Sequence, residues 1–208
     1  MTLTLTYPGE QQTGLGLTVA GSENSAADLL DVWQPLCDDE KVYKQFAAGN
    51  HAACISCINN CCNTAYVTPD IISLRLMAKR YGLSLPDFAA RFLDADKLAL
   101  GIPVLKRPCP WLTDDGRCDV YQIRSLLCRL YLCTPLEGQL EQLIYSLTLV
   151  GMIATIEELG ADFQSPNQAM TSFDRLNLQE IKAWRTHPGV KAFRTAASYS
   201  ELPLNLFL

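Results

Sequence analysis

Cysteine thiols are the side chains whose spacing in this chain points most directly to chemistry. Four of them fall within nine positions, at Cys54, Cys57, Cys61 and Cys62. The two residues between Cys54 and Cys57 allow both sulfurs to face one ion or one face of a cluster, as in zinc knuckles and iron–sulfur proteins. Free cysteines that only fill a core seldom cluster in this way, so the spacing predicts a metal site.

A second group of thiols follows further along the chain, at Cys109, Cys118 and Cys128. A thiolate ligand is negatively charged, so the metal or nearby cations must offset that charge. Four arginines are interleaved with these cysteines and could offset it, namely Arg107, Arg117, Arg124 and Arg129. Cys37 stands apart from both groups and is predicted to be a core residue.

The start of the chain and the cysteine count favour reduced thiols over disulfides. The first residues show no basic start, no unbroken apolar run and no small-residue cleavage site, so they do not resemble a secretory signal. We therefore expect a cytoplasmic protein, and disulfides are rare in that compartment. Nine cysteines is also an odd number, which argues against a complete disulfide framework. Both observations favour metal ligation over disulfide bonding as the role of the clustered thiols.

Length and composition indicate one globular domain with an appended arm. The 208 residues are 49% apolar and 19% charged, which is enough apolar material for a core. Residues 1–24 are rich in Thr, Gly and Gln, and they predict a flexible or weakly structured N-terminal arm or a marginal hairpin. Residues 25–208 are predicted to form a single helical metal-binding domain, with its cysteine-cluster core at 51–133.

The charge distribution bears on the partners of the protein. Residues 1–40 contain seven acidic residues and no Lys or Arg, and the formal net charge of the chain is -5. An acidic segment of this kind either docks on a basic protein partner or keeps the chain soluble. The sequence has no dense basic stripe, which argues against nucleic acid as a partner.

Apolar periodicity predicts a mainly α fold, a compact helical domain whose metal-binding loops are joined by two helices. The first of these two helices is predicted to have Thr68 as its N-cap and Pro69 at its first position. The second is predicted to begin near Ser84, and folding back of the pair would bring the two cysteine groups together. Further helices are predicted at residues 119–133, 137–159 and 178–185, and a helix break near residues 35–37.

The longest apolar stretch, residues 143–156, is shorter than a membrane span and carries polar side chains throughout. A buried helix is therefore predicted there, and no transmembrane segment is expected.

Together the two cysteine groups resemble the CxxCxxCC, or YkgJ-like, cysteine-cluster family, which is described as a zinc- or iron-chelating domain. The resemblance covers roughly residues 51–133 and includes the Cys-Arg-x-Tyr ending at Cys128. The matching residues are Cys54, Cys57, Cys61, Cys62, Cys109, Pro110, Trp111, Leu112, Gly116, Cys118, Tyr121, Arg124, Cys128, Arg129 and Tyr131. The resemblance implies that all seven of these cysteines are metal ligands or lie next to them. For Cys109, Cys118 and Cys128 it is the main ground for that role.

The chain departs from the family pattern at three points. Three residues separate Cys57 from Cys61, as in some members of the family, where others have two. Ser125 and Leu132 stand where the family often has Pro. Losing a Pro before Cys128 would permit a more regular helix there.

The number of thiols bears on which metal they hold. One zinc site takes four ligands, so seven thiols exceed it, and this surplus favours an iron–sulfur cluster or a two-ion site. A [4Fe–4S] cluster needs four thiolates, which both groups would supply. The side chains of adjacent Cys61 and Cys62 diverge, so closing a single zinc tetrahedron with both is awkward. The leading prediction is a [4Fe–4S] cluster, with zinc as the alternative.

Three functions remain open at the level of sequence. The first is an iron–sulfur protein with a redox or cluster-dependent modification role, and the second is a zinc-stabilised interaction or assembly factor without catalysis. The third follows from the resemblance, because the family includes flagellin lysine N-methylases, which implies an S-adenosylmethionine-dependent protein lysine methylase. The chain has no glycine-rich nucleotide loop and no separate substrate domain, which weakens the third option. The sequence assigns no catalytic residue.

Overall fold

A computed structural model of the protein describes residues 2–7, 14–21, 23–38, 61–115, 117–130, 135–160 and 170–208. The predicted mainly α fold is confirmed. The strands are β1 (Thr2–Thr6) and β2 (Gly16–Ala20). The helices are α1 (Ala26–Asp38), α2 (Cys61–Thr64), α3 (Ile71–Arg80), α4 (Leu85–Phe92), α5 (Ala95–Ala99), α6 (Leu126–Leu130), α7 (Gln139–Leu159), α8 (Ser172–Trp184) and α9 (Pro188–Thr195). Short 3-10 helices lie at Tyr121–Ile123, Tyr199–Glu201 and Leu204–Leu206.

Helix α7 forms the centre of the core and packs against α3, α6, α8, α9 and β2. Most of its side chains from Leu143 to Ile156 are buried, which confirms the buried helix predicted there. Gly160 ends it with a left-handed φ of 61°. By length and composition, α7 is the one helix in the described part of the chain that could cross a membrane. However, 67% of its apolar window is buried in the fold, as in a soluble core helix.

The N-terminal segment folds as a hairpin. Strand β1 pairs antiparallel with β2, with Leu3 opposite Val19 and Leu5 opposite Leu17. Leu3 and Leu17 are buried, and the hairpin packs against α1 and α7. The predicted domain boundary at residue 25 stays a prediction.

The two helices between the cysteine groups are α3 and α4. The N-cap of α3 is Asp70, so the prediction of Thr68 was wrong by two residues. The Asp70 carboxylate accepts the Ser73 N–H at 3.0 Å, which satisfies a donor that the helix start leaves free. Helix α4 begins after Ser84 as predicted, and its N-cap hydroxyl accepts the Asp87 N–H at 3.2 Å.

The predicted helix over residues 119–133 was wrong, because the chain breaks in its middle. The 3-10 turn Tyr121–Ile123 is followed by Arg124 in an extended conformation (φ −62°, ψ 155°), and α6 starts only at Leu126. The Ser125 hydroxyl accepts the Cys128 N–H at 3.4 Å and so acts as a helix start. The more regular helix that was expected from Ser125 in place of Pro is therefore absent, because Ser125 itself starts a new helix.

Two other boundaries differ from the predictions. Helix α1 runs through Pro35 instead of breaking there, and it buries Trp33 and Leu36 against the core. Helix α9 was not predicted. His187 is its N-cap, and its Nδ1 accepts the Gly189 N–H at 3.1 Å.

Candidate metal centre

The structure describes part of the predicted ligand set. Cys54 and Cys57 lie outside the described residues, and Cys61 begins α2 without a described side chain. The side chains of the other four predicted cysteines are described and partly buried: Cys62, Cys109, Cys118 and Cys128.

A direct contact between Cys62 and Cys109 joins the two cysteine groups. After α3 and α4 the chain returns alongside its earlier course, with the Leu105 N–H donating to the Val67 carbonyl at 2.9 Å. Further along, the Cys109 N–H donates to the Cys62 carbonyl at 2.6 Å, and the Cys62 thiol donates to the Cys109 sulfur. The fold-back predicted from the two intervening helices therefore brings Cys62, the one member of the first group with a described side chain, against Cys109 of the second group.

Residues 109–115 and 117–118 belong to a loop that is anchored by Trp111. Leu112 pairs antiparallel with Cys118, and the Asp119 N–H donates to the Trp111 carbonyl at 2.9 Å. The Trp111 ring is buried and stacks on Phe88 of α4 with ring centroids 5.9 Å apart. The loop that carries Cys109 and Cys118 is thus fixed to α4.

Cys128 lies on a third element, the short helix α6. The Ser125 hydroxyl donates to the Cys128 sulfur at 3.3 Å. Cys109, Cys128 and Cys118 each raise the pKa of Cys62 through their charge, so all three lie within electrostatic range of Cys62.

Comparison with known proteins identifies the segment that carries these thiols. Residues 53–147 match the CxxCxxCC family model, described as a "putative zinc- or iron-chelating domain". Residues 53–147 are therefore similar to a CxxCxxCC domain, the name used for this segment from here on. This confirms the resemblance drawn from the cysteines and supports metal binding. No curated protein and no solved structure matches the chain.

Within the CxxCxxCC domain, the surroundings of Cys109 favour its thiolate form. The hydrogen bond from Cys62 lowers the pKa of Cys109 to about 6, and the N–H groups of Trp111 and Leu112 act in the same direction against burial. The same bond raises the pKa of Cys62 far above its ordinary value, because Cys62 is the donor.

The other two described thiols are held in their neutral form. Burial raises the pKa of Cys128 to about 11, and burial also raises the pKa of Cys118. Since a bound metal requires thiolates, loading this site must release protons.

The four arginines that were predicted to offset thiolate charge differ in their contacts. The charge of Arg124 lowers the pKa values of Cys118 and Cys128. Arg124 is buried, stacks on the Tyr121 ring at 3.6 Å and donates to the Tyr121 carbonyl at 2.6 Å. The guanidinium of Arg107 instead lies 3.9 Å from the centre of the Tyr66 ring.

Arg117 and Arg129 point to other partners. Arg117 pairs with Asp115 at 3.1 Å on the exposed side of the loop. Arg129 lies 6.0 Å from the Tyr199 ring centre. In the part of the chain that the structure describes, Arg124 is therefore the best placed of the four arginines to offset thiolate charge.

The chemistry of these donors fits the metals that the family description names. Thiolate is the ligand that structural zinc and iron–sulfur clusters take. Among the described residues, no three cysteine, histidine, aspartate or glutamate side chains form a ready-made metal site. Cys62, Cys109, Cys118 and Cys128 would thus need further ligands from the first cysteine group, and the ligand set stays a prediction.

Sequence reasoning missed Asp70, which connects the CxxCxxCC domain to the rest of the fold. Its carboxylate is 2% exposed and accepts hydrogen bonds from the Leu126 N–H and the Tyr199 hydroxyl, both at 2.9 Å. Leu126 is the first residue of α6, two positions before Cys128. Nothing in the sequence marks this contact, because Tyr199 lies 129 positions away.

Proposed function

We propose that this chain is an iron–sulfur protein whose CxxCxxCC domain holds a [4Fe–4S] cluster through thiolates from both cysteine groups. The observation that supports it is the contact between Cys62 of α2 and Cys109 of the loop, with Cys118 and Cys128 near enough to act electrostatically on Cys62. Cys54, Cys57 and Cys61 bring the number of cysteines in the two groups to seven, enough for both groups to contribute to the four thiolates of a [4Fe–4S] cluster.

The residues around the thiols would serve such a cluster in distinct ways. Cys62 and Cys109 would hold it between α2 and the loop, and Cys128 would hold it from α6. Arg124 would partly offset the negative charge of the thiolates, as its effect on Cys118 and Cys128 indicates. When bound, an iron–sulfur cluster supplies electron transfer at a potential that its surroundings set.

We assign the protein a redox or cluster-dependent modification role in the cytoplasm. The partial burial of all four described thiols supports this assignment, because limited solvent access around a cluster helps to set its redox potential. The apolar core supports it as well, since a large cluster of buried apolar side chains packs around α7, whereas small zinc-stabilised domains use the metal in place of such a core.

Anaerobic reconstitution with iron and sulfide tests the proposal. We expect the wild type to become brown, and the Cys62→Ser and Cys109→Ser variants to lose most of their iron and visible absorption. Cys37→Ser is the matched control, because Cys37 donates to the Arg129 carbonyl at 3.3 Å and belongs to neither cysteine group. Wild-type iron content in both cluster variants would contradict the proposal, as would a colourless wild type that binds zinc.

A further inference from the structure

We infer that Asp70 is a positioning residue for the metal centre. Its carboxylate holds the start of α6, and the start of α6 sets where the Cys128 thiol lies. This inference rests on the proposed function only in its use of Cys128 as a ligand, and it concerns a residue that the cysteine pattern does not include.

The Asp70 carboxylate is fully used by donors from three parts of the chain. One oxygen accepts the Ser73 N–H at 3.0 Å and the Tyr199 hydroxyl at 2.9 Å. The other oxygen accepts the Ser73 hydroxyl and the Leu126 N–H, both at 2.9 Å. An ionised carboxylate has about four acceptor positions, so these four bonds leave none to water.

Capping of α3 does not account for this arrangement. A cap needs only the bond to the Ser73 N–H, and a Ser, Thr or Asn side chain supplies that as well as Asp. The bonds to Leu126 and Tyr199 cross 56 and 129 positions of sequence. They require an acceptor on both oxygens, which among these side chains only a carboxylate provides.

Helix α6 depends on outside contacts for its position. It has five residues, Leu126–Leu130, and helices this short are unstable on their own. Its first N–H goes to Asp70, while Ser125 binds both the N–H and the sulfur of Cys128. A shift of the Leu126 amide is therefore passed directly to the Cys128 thiol.

Asp70 itself is held rigidly by α7. A Cβ atom at Gly151 would lie 2.8 Å from the Asp70 Cβ, so only glycine fits at that point of the helix. The Thr155 hydroxyl also donates to the Pro69 carbonyl at 2.9 Å. Helix α7 thus fixes the position of Asp70, and Asp70 in turn holds the start of α6.

Anaerobic titration of the metal-free protein with cobalt(II) tests this inference, because thiolate-bound cobalt has a charge-transfer absorption that depends on the number of thiolates. In Asp70→Asn an amide NH₂ replaces one oxygen and faces donors. We expect cobalt affinity to fall about 10- to 100-fold, the range for residues that orient ligands, with weaker charge-transfer absorption.

Tyr199→Phe is the matched control, because it removes one bond to Asp70 and leaves the Leu126 bond intact. It should lower the melting temperature without changing the cobalt spectrum.

Equal cobalt affinity and spectrum in Asp70→Asn and wild type would overturn the inference and leave Asp70 as a cap. Asp70→Ser keeps a cap but is too short to reach Leu126, so it replaces the Asn variant if that variant does not fold. If neither folds, hydrogen exchange at the wild-type Leu126 amide decides, since exchange as fast as in an unprotected amide would exclude the tether. A wild type that binds no cobalt through thiolates would instead count against the proposed function.

Discussion

Cys109 has surroundings unlike those of an ordinary cysteine. Its sulfur accepts from the Cys62 thiol and from two backbone N–H groups, and these donors together outweigh the burial that disfavours a thiolate. Cys128 lies close by but is stabilised as a thiol by burial. Of the four thiols that the structure describes, Cys109 therefore ionises near neutral pH, whereas the pKa values of the other three are raised.

This difference predicts the order in which the thiols react. In metal-free protein, alkylation of Cys109 should rise as the pH passes about 6 and then level off, because its thiolate forms there. Alkylation of Cys128 should rise only near pH 11. Iodoacetamide labelling followed by peptide mass spectrometry measures both profiles. Equal midpoints for the two cysteines would contradict the assignment, and Cys62→Ala should raise the midpoint of Cys109 by removing its donor.

Among single residues, the sequence predicted those whose role follows from their spacing along the chain. Cys54, Cys57, Cys61 and Cys62 stood out because ligands of one site often come from one short segment. Asp70 could not be found in this way, because its partners Leu126 and Tyr199 are adjacent only in the folded chain.

At the scale of elements, α6 is the part of the site with the weakest support of its own. Ser125 caps it and also donates to the Cys128 sulfur. Ser125→Ala should lower the free energy of unfolding by about 1 kcal/mol through loss of the cap, and should reduce the iron retained after reconstitution. Chemical denaturation and iron analysis measure the two effects. Ser125→Thr keeps the hydroxyl and serves as the control; if it loses as much iron as Ser125→Ala, the hydroxyl is not the cause.

Helices α5 and α8 are joined by a buried ion pair. Lys97 donates to both carboxylate oxygens of Asp174, at 2.7 and 2.9 Å, and Asp174 is 1% exposed. Burial raises the pKa of Asp174, but the bonds from Lys97 and Thr171 outweigh burial and lower it overall. Since the folded pKa lies below the unfolded value, this stabilisation is present above about pH 4 and is lost as the pH falls further.

Asp174→Asn should therefore lower the free energy of unfolding by about 2–3 kcal/mol at pH 7, because it leaves Lys97 partly buried without its charge partner. The difference from wild type should shrink as the pH falls below about 4. Urea denaturation at several pH values measures this. A difference that stays constant down to pH 2 would contradict the role given to the pair.

The helices that were predicted well share a clear local signal. Helix α4 has Ser84 as N-cap and buries Phe88 and Phe92 in the expected rhythm, and α7 is long and apolar. The break at Arg124 and Ser125 lacked such a signal, because the side-chain bond that makes it competes with an otherwise acceptable helix. Tertiary bonds of this kind set the boundaries that sequence patterns miss.

In the whole molecule, the segment that matches the CxxCxxCC model is bound to the chain that follows it. The family match ends at residue 147, yet Tyr199 donates to Asp70 from the C-terminal segment. Arg75 of α3 also binds the carbonyls of Arg194 and Ala196 at 2.9 and 3.3 Å. The mainly α class was predictable from helical periodicity, but this closure of the C-terminal segment over α3 was not.

Removal of residues 161–208 should therefore abolish both the fold and the site. That segment places Ile181, Val190, Phe193 and Leu204 in the core against α7 and its neighbours. We expect the truncated chain to show no cooperative thermal transition and no thiolate-bound cobalt spectrum. Circular dichroism and cobalt titration test this. Cooperative unfolding with wild-type cobalt affinity would show that the CxxCxxCC domain is independent of the C-terminal segment.

The most direct test of the central claim is the metal and sulfide content of the full chain, purified anaerobically from iron-replete cells and analysed together with its visible spectrum. We expect brown protein with about four iron atoms and about four acid-labile sulfides per chain, as one [4Fe–4S] cluster requires. Colourless protein that contains zinc and no sulfide would contradict it and would make the cysteine site a structural zinc centre.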